Sequence, residues 1–291
     1  MKILKYFLEA FFIYLLFFLF KISGLKFSRK FSSFLLLTFG FLFRKKKIIK
    51  DNILKVFKEF SDSDIDILIK KMWSNYGLTF SEYVFLDKFR YNKFNKSHIQ
   101  ISGEEIITEI KKKGKPVIFI SAHLGNFELM AMELEKKNLN LAAIYRPLNN
   151  FFLNPFMVYL RRKYLCKIQV KKGLVGMRET IKKIKENYSL ALMVDQRVGE
   201  SERYPFFGVP AHTTTIPAQL AIKYDLEIIP IFLERGENNL FKMEIQKPIK
   251  FQKTQNYDLD KKNITIEINR IIEKMILRNP GQWIWTHSRW K

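Results

Sequence analysis

Short apolar runs alternate with longer amphipathic segments from residue 115 onwards. Predicted strands lie at 117–120, 141–145, 167–170, 190–194 and 228–233. Predicted helices lie between them at 127–137, 155–164 and 175–186. Strands that are apolar on both faces and alternate with helices are typical of a largely parallel sheet covered by helices on both sides. The sequence therefore predicts an α/β fold.

The N-terminal segment Tyr6–Phe20 is apolar except for Glu9, and its length is at the short end for a helix that crosses a bilayer. A cleaved signal peptide is the rival interpretation. Positive charges follow the run directly, beginning with Lys21, and no small-x-small cleavage site precedes them. We therefore interpret the segment as an uncleaved anchor. More positive charge follows it than precedes it, which predicts that the rest of the chain is cytoplasmic.

The chain is strongly basic, with 51 Lys and Arg against 28 Asp and Glu and a net charge of +23. Such an excess can bind nucleic acid or anionic lipid. Residues 1–50 hold eleven of the basic residues against Glu9 alone, beside the most apolar part of the chain. This placement favours anionic membrane lipids as partners over nucleic acid.

A second apolar stretch, Phe31–Phe43, is too short for a comfortable span and fits either an interfacial helix or a buried core helix. Residues 51–94 continue with apolar residues at helical spacing. We therefore predict a membrane anchor and interfacial segment over residues 1–47. Residues 48–291 are predicted to form one α/β domain with a helical N-terminal part. With one cysteine and four dispersed histidines, no metal site or cofactor is expected.

A histidine and a glutamate follow the first predicted strand of the α/β pattern. His123 lies just beyond that strand, at the edge where parallel α/β sheets place their sites. Asn126 is a favourable N-cap for the next helix, and Glu128 falls in the first turn of that helix. The offset can return the Glu128 carboxylate to the imidazole, leaving the other ring nitrogen as a general base. The same residues also fit an ordinary loop histidine followed by an unrelated capping glutamate.

Further motifs follow His123-x4-Glu128 in a fixed order. They are a YRP segment at 145–147, an arginine at 161, a strand ending in Asp195, the segments 205–211 and 213–215, and an aromatic tail at 280–290. The box resembles that of the glycerolipid acyltransferase superfamily. The ordered set, which runs from about residue 115 to the end of the sequence, resembles the bacterial lipid A late acyltransferases, the lauroyl and myristoyl transferases.

This resemblance implies a membrane-bound enzyme that transfers a fatty acyl group from an acyl-carrier-protein thioester to a hydroxyl of a lipid A precursor. It implies an inner-membrane location, with the catalytic domain on the cytoplasmic face. An acyltransferase for another glycolipid or for lysophospholipid is the closest alternative. A non-enzymatic basic protein that binds membrane or nucleic acid is the alternative from another class.

The same resemblance implies roles for individual residues. His123 would be the general base and Glu128 its orienting partner. Arg161 would bind a lipid phosphate or stabilise developing negative charge, and Asp195 would pair with it. Arg162 is adjacent to Arg161, and the sequence leaves the two arginines as alternatives.

The remaining residues assigned to substrate binding are Arg146, in the YRP segment, and Asn126, in the histidine loop. Cys166 lacks a recognisable nucleophile context and is predicted to be a structural thiol.

The N-terminal pattern yields a first testable expectation. Deleting residues 1–22 should lower membrane retention, because an apolar run followed by clustered positive charge is a two-signal membrane attachment. Activity on substrate in vesicles should fall more than activity on detergent-dispersed substrate. Flotation with vesicles and parallel rate measurements check this, and an equal loss in both assays would contradict it.

Overall fold

A seven-stranded sheet forms the centre of the molecule, whose computed structural model describes residues 2–94, 96–197, 199 and 201–291. Its strands are β1 (Ile99–Ser102), β2 (Ile118–Ser121), β3 (Leu141–Tyr145), β4 (Ile168–Lys171), β5 (Ser189–Met193), β8 (Ile228–Arg235) and β9 (Phe241–Ile245). The strand order is β1-β9-β8-β2-β5-β3-β4. All neighbours are parallel except β8 and β9, which run antiparallel. Strands β6 (Arg203–Phe206) and β7 (Val209–His212) form a separate hairpin.

Helices cover both faces of this sheet. They are α1 (Lys2–Phe39), α2 (Lys46–Val56), α3 (Asp62–Glu82), α4 (Leu86–Arg90), α5 (Glu104–Lys113), α6 (Glu128–Lys136), α7 (Asn154–Leu160), α8 (Leu174–Lys185), α9 (Ile216–Tyr224) and α10 (Tyr257–Arg278). In β2, Ile118 and Ile120 point into one core, with α2, α3, α8, α9 and α10. Phe119 points into the other core, with α1, α4, α5, α6 and α7. The predicted α/β fold is therefore confirmed.

The five predicted strands are present, with ends that differ from prediction by at most two residues. Strands β1 and β9 were not predicted, because each alternates apolar with polar residues in a run of only four or five. The helix predicted at 155–164 ends at Leu160, and Arg161–Leu165 continues it as a π-helical turn. Such turns often occur at functional sites, and this one positions Arg161.

Helix α1 includes both the predicted anchor and most of the second apolar stretch. At Gly24 the backbone leaves helical geometry, with φ 78° and ψ 161°, so that two arms meet there. The helix is long and apolar enough to cross a membrane, which fits membrane association. Several of its aromatic side chains, including Phe12 and Phe18, are exposed.

The first arm of α1 also contributes to the core of the α/β domain, since Phe17 and Phe20 are buried there. Deleting residues 1–22 would therefore remove core side chains together with the anchor. Substituting the exposed Phe12 and Phe18 by serine is the cleaner test of membrane retention. The division into residues 1–47 and 48–291 stays a prediction.

The second arm of α1 packs closely against α3 at Gly77, where a methyl group would lie 2.4 Å from the Ser32 carbonyl oxygen. Gly77→Ala should therefore force the two helices apart and destabilise the protein by about 1–3 kcal/mol, as overpacking does. Denaturant unfolding in detergent checks this. The control is Lys70→Ala on the exposed face of α3, which should be close to neutral. Equal stability of both variants would contradict the close packing.

Candidate active site

His123 is paired with Asp195 at the edge of the sheet. The distance between His123 Nδ1 and Asp195 Oδ1 is 2.7 Å. The second carboxylate oxygen accepts hydrogen bonds from the His123 backbone N–H at 3.1 Å and from Trp283 Nε1 at 2.8 Å. Asp195 is completely buried, whereas the His123 side chain remains 17% exposed and lines a cavity.

Asp195 is held in its ionised form. Burial alone would raise the pKa of this carboxyl, but the charge of His123 and the hydrogen bonds from His123 and Trp283 outweigh it and lower the pKa to about 2. An ionised carboxylate can only accept hydrogen bonds, so His123 Nδ1 carries the proton of the neutral ring. This tautomer leaves the lone pair of Nε2 free to accept a proton.

Strand register explains why these two residues meet. Strands β2 and β5 are parallel neighbours, and Ser121 is paired with Met193. His123 and Asp195 each lie two positions beyond these paired residues. Both side chains therefore emerge at the same carboxyl edge, as residues after adjacent parallel strands do.

Glu128 has a different partner from the predicted one. Its Oε1 accepts hydrogen bonds from Arg161 Nε at 3.0 Å and Nη2 at 2.5 Å, and from the Tyr83 hydroxyl. The predicted pairs His123–Glu128 and Arg161–Asp195 are thus wrong. The carboxylates are exchanged because β5, next to β2, brings Asp195 to His123, while the π-helical turn brings Arg161 to the first turn of α6.

The Glu128–Arg161 pair is largely shielded from solvent, with side chains that are 10% and 13% exposed. Burial alone would lower the pKa of Arg161, but the Glu128 charge outweighs it and raises the pKa. Arg161 lines the cavity, whereas Arg162 is exposed to solvent. Of the two arginines that the sequence left as alternatives, Arg161 is the one that reaches the cavity, and its role stays a prediction.

A cavity of about 820 Å³ connects the two pairs, since His123, Glu128 and Arg161 all line it. Met130 and Ala131 contribute to its apolar wall. Its volume lies within the range of small-molecule sites, roughly 300–1,000 Å³. Apolar walls with a few convergent polar groups are suited to a substrate that has a long hydrocarbon part.

Basic side chains lie along another part of the cavity. Arg146, Lys171, Lys172 and Arg197 all line it, and Arg146 is exposed to solvent. Desolvation and the neighbouring Arg146 charge lower the pKa of Lys172. This concentration of positive charge is suited to an anionic group such as a phosphate.

Asn126 has a different place from the predicted one. Helix α6 begins at Glu128, so that Phe127 and not Asn126 is its N-cap. The Asn126 side chain is buried and donates from Nδ2 to Glu82 Oε2 at 2.8 Å. It is therefore joined to Glu82 and is not among the residues that line the cavity, so this position does not support the substrate-binding role, which stays a prediction.

Glu82 is fully buried and carries an ionised carboxylate between two arginines. Arg235 Nη1 lies 2.5 Å from Oε1, and Arg29 Nε lies 2.7 Å from the same atom. Burial alone would raise the pKa of Glu82, but Arg235, Arg29 and Asn126 outweigh it and lower the pKa. The cluster joins α1, α3, the end of β8 and the histidine loop.

Residues of the aromatic tail at 280–290 pack against the candidate site. Trp283 and Arg289 are both buried. The Arg289 guanidinium donates to the Val194 carbonyl oxygen at 3.1 Å and to Asn269 Oδ1 at 2.8 Å. His287 Nδ1 accepts from the Arg197 backbone N–H at 3.2 Å, and desolvation lowers its pKa to about 4. The contact of Trp283 with Asp195 was not predicted from the sequence. The tryptophans of the tail were the sequence feature that could have indicated it.

Cys166 is buried in the core, where its thiol donates to the Leu141 carbonyl oxygen at 3.2 Å. Burial raises the pKa of this thiol to about 12. A protonated, buried thiol is a poor nucleophile, which agrees with the predicted structural role.

The largely parallel α/β fold, with a histidine-x4-glutamate box beside a largely apolar cavity, fits the glycerolipid-type acyltransferases that the sequence resembles. The chain belongs to the bacterial lipid A biosynthesis acyltransferase family, whose model matches residues 1–291. The family predicted from the sequence is thereby confirmed, and the protein is an acyltransferase.

Named relatives agree with this assignment. The chain is 25% identical over 237 residues to lipid A biosynthesis acyltransferase 2 of Shigella flexneri, covering 80% of this chain and 74% of the relative. It is 23% identical over 268 residues to a lipid A biosynthesis acyltransferase of Haemophilus influenzae, covering 87% and 82%. It is also 23% identical over 258 residues to the lipid A biosynthesis lauroyltransferase of Escherichia coli, covering 88% and 82%.

The Glu82 cluster yields a prediction on stability. Glu82→Gln should destabilise the protein by about 3–5 kcal/mol, because it leaves the buried Arg235 and the partly buried Arg29 without their counter-charge. Since the pKa of Glu82 is lowered from 4.5, the carboxylate stabilises the fold above that value and loses this effect as the pH falls further. The deficit of the variant should therefore shrink at acidic pH.

Denaturant unfolding in detergent at pH 7 and at more acidic pH measures both effects. The control is Glu267→Gln, which removes a carboxylate from an ion pair with Arg270 on the surface of α10. Exposed pairs contribute at most about 1 kcal/mol, so this variant should be close to wild type. A deficit of Glu82→Gln that does not change with pH would contradict the lowered pKa.

Proposed function

We propose that this acyltransferase moves a fatty acyl group from an acyl-carrier-protein thioester to a hydroxyl of a lipid A precursor, with His123 as general base. The observation that carries the mechanism is the His123–Asp195 pair, with the histidine open to the cavity. Family membership and relatives named as lipid A acyltransferases support the choice of acceptor.

In the proposed reaction, His123 Nε2 removes the proton from the acceptor hydroxyl as its oxygen attacks the thioester carbonyl carbon. Asp195 stabilises the imidazolium that forms, through the 2.7 Å contact with Nδ1. The tetrahedral intermediate then collapses, an ester forms, and the carbon–sulfur bond breaks. The imidazolium returns its proton to the leaving thiolate, so that the enzyme ends in its starting state.

Arg161 is the proposed donor to the negative charge that develops on the carbonyl oxygen, or to a phosphate of the acceptor. Its Nε and Nη2 atoms donate hydrogen bonds to Glu128, and Nη2 also donates to the Tyr83 hydroxyl. Nη1 has no hydrogen bond to any residue in the part of the chain that the structure describes. Glu128 would orient this guanidinium and leave Nη1 free for the substrate, which makes Glu128 a positioning residue.

Arg146 and the lysines along the cavity are proposed to bind phosphate groups of the lipid acceptor. The acceptor would reach the cavity from the inner membrane, with the catalytic domain on the cytoplasmic face and anionic lipids around the basic N-terminal region. A lysophospholipid acceptor is less favoured. The glycerol-phosphate acyltransferases carry an acidic-Gly-Thr-Arg box where this chain has Asp195-Gln196-Arg197.

The reaction itself is tested with purified protein reconstituted into vesicles. The substrates are a pool of acyl carrier proteins loaded with different fatty acids and a tetra-acylated lipid A precursor. Mass spectrometry should detect one additional acyl chain on the lipid. Lysophospholipid and a precursor that lacks phosphate serve as alternative acceptors. Transfer to lysophospholipid alone would overturn the proposed acceptor.

Single and double variants test the proposed pairs. His123→Ala should lower the rate constant of acyl transfer by roughly two to four decades, the usual contribution of a general base. Asp195→Asn should also cause a large loss, because the amide cannot stabilise the imidazolium. The double variant of His123 and Asp195 should be little worse than His123→Ala, since the two residues act as one unit.

Glu128→Gln and Arg161→Ala should each cost about one to two decades, the value of a hydrogen bond to a charged group. A double variant of Glu128 and Arg161 should be little slower than either single variant. Combining either substitution with His123→Ala should multiply the two rate losses, because the residues belong to different pairs. Single-turnover transfer by folded variants is the measurement. Arg162→Ala and Cys166→Ser are the controls and should stay active. Substantial activity in His123→Ala, or acyl-enzyme trapped on Cys166, would overturn the mechanism.

A further inference from the structure

Two adjacent apolar side chains stand out at the start of α8. Among the large apolar side chains of the described residues, Leu174 and Val175 are the most exposed, at 91% and 82%. Single exposed apolar residues are common on protein surfaces. These two are neighbours, and they follow Lys171 and Lys172 after a single glycine, Gly173. They lie beside the cavity, which Leu174 lines.

The turn that presents Leu174 and Val175 has a defined shape. The Lys172 backbone N–H donates to the Tyr145 carbonyl oxygen at 2.8 Å, and that of Met177 donates to the Gly173 carbonyl oxygen at 2.8 Å. At Gly176 a methyl group would lie 1.4 Å from the Lys171 carbonyl oxygen, so the turn requires glycine there. The turn therefore holds the two apolar side chains outward.

The same edge of the sheet carries the loop that contacts the anchor. Strands β3 and β4 are parallel neighbours, with Tyr145 paired with Lys171, so the chain segments after both strands emerge together. In the loop after β3, Asn150 Nδ2 donates to the Tyr6 carbonyl oxygen at 2.8 Å. The Tyr14 hydroxyl donates to the Phe152 carbonyl oxygen at 2.9 Å. The cavity is thus lined both by the start of the anchor-contacting loop and by the exposed turn.

Charge and apolarity together indicate the partner of this turn. An apolar tip flanked by lysines matches the pattern that binds anionic membrane surfaces, with the apolar residues at the acyl boundary and the cations among the headgroups. Arg146, on the neighbouring loop, adds positive charge to the same edge.

We propose that residues 171–175, here called the membrane tip, form a second membrane contact that inserts Leu174 and Val175 into the interface of an anionic bilayer. Together with the anchor, the tip would hold the cavity opening at the lipid surface, where a lipid acceptor resides. This inference rests on the proposed action on a membrane lipid, and its test uses a readout that does not depend on catalysis.

The test places an environment-sensitive fluorophore on the tip of the full-length protein. Cys166→Ser removes the one cysteine of the chain, and Val175→Cys then supplies a single labelling site. Vesicles that contain phosphatidylglycerol should shift the emission of this label to the blue, and vesicles of phosphatidylcholine alone should shift it less. The control is Lys185→Cys, an exposed site at the far end of α8, which should show no shift.

A second variant, Val175→Asp, tests the consequence for activity. Replacing this apolar side chain by a carboxylate should lower transfer to acceptor in anionic vesicles about tenfold, because an apolar contact with lipid is lost. Transfer to detergent-dispersed acceptor should stay close to wild type, because Val175 is not among the residues that line the cavity. If transfer in detergent is normal but vesicles do not shift the emission of the label at position 175, the membrane tip is overturned. The proposed function would then still stand.

Two further outcomes decide against a lipid partner. Equal losses in vesicles and in detergent would assign the tip to the protein donor. Equal shifts at positions 175 and 185 would show nonspecific adsorption. Either result would overturn the proposal, and both are separate from a failure of acyl transfer by the wild-type protein.

Discussion

A single buried carboxylate links the N-terminal helix, the central sheet and the histidine loop. A charge shut away from water must be compensated within the fold. Glu82 meets this requirement with Arg29 from α1, Arg235 from β8 and Asn126 from the histidine loop. The apolar N-terminal helix, the sheet and the histidine loop therefore share one electrostatic centre. Displacing any of the three partners would leave the carboxylate incompletely compensated, so the cluster favours one arrangement of helix, sheet and loop.

The candidate active site contains two ion pairs, His123–Asp195 and Arg161–Glu128, that meet at one cavity. His123 with Asp195 is suited to move a proton, and Arg161 with Glu128 is suited to bind negative charge. Each pair uses its carboxylate to fix the orientation of the partner. Among the described residues, Nε2 of the histidine and Nη1 of the arginine have no hydrogen-bond partner, so each pair leaves one nitrogen able to meet a bound molecule.

The sequence predicted the central strands and the set of polar residues, but not the partners within that set. Five buried strands were recognisable because their residues are apolar on both faces. The order β8-β2-β5-β3 is a long-range property, and it alone decides that Asp195 reaches His123. Spacing along the chain favoured Glu128 for that place, since local offsets are all that a sequence shows directly. Trp283 completes the site from 88 positions after Asp195, a distance that no local pattern can bridge.

The late position of Trp283 has a consequence for biosynthesis. The apolar helix α1 leaves the ribosome before the strands of the sheet. The indole that donates to Asp195 is added only after the last strand and α10. In a nascent chain, α1 is thus complete long before the His123–Asp195 pair has its full set of donors. Association of α1 with a membrane, which its length and apolarity fit, would then precede completion of the candidate site.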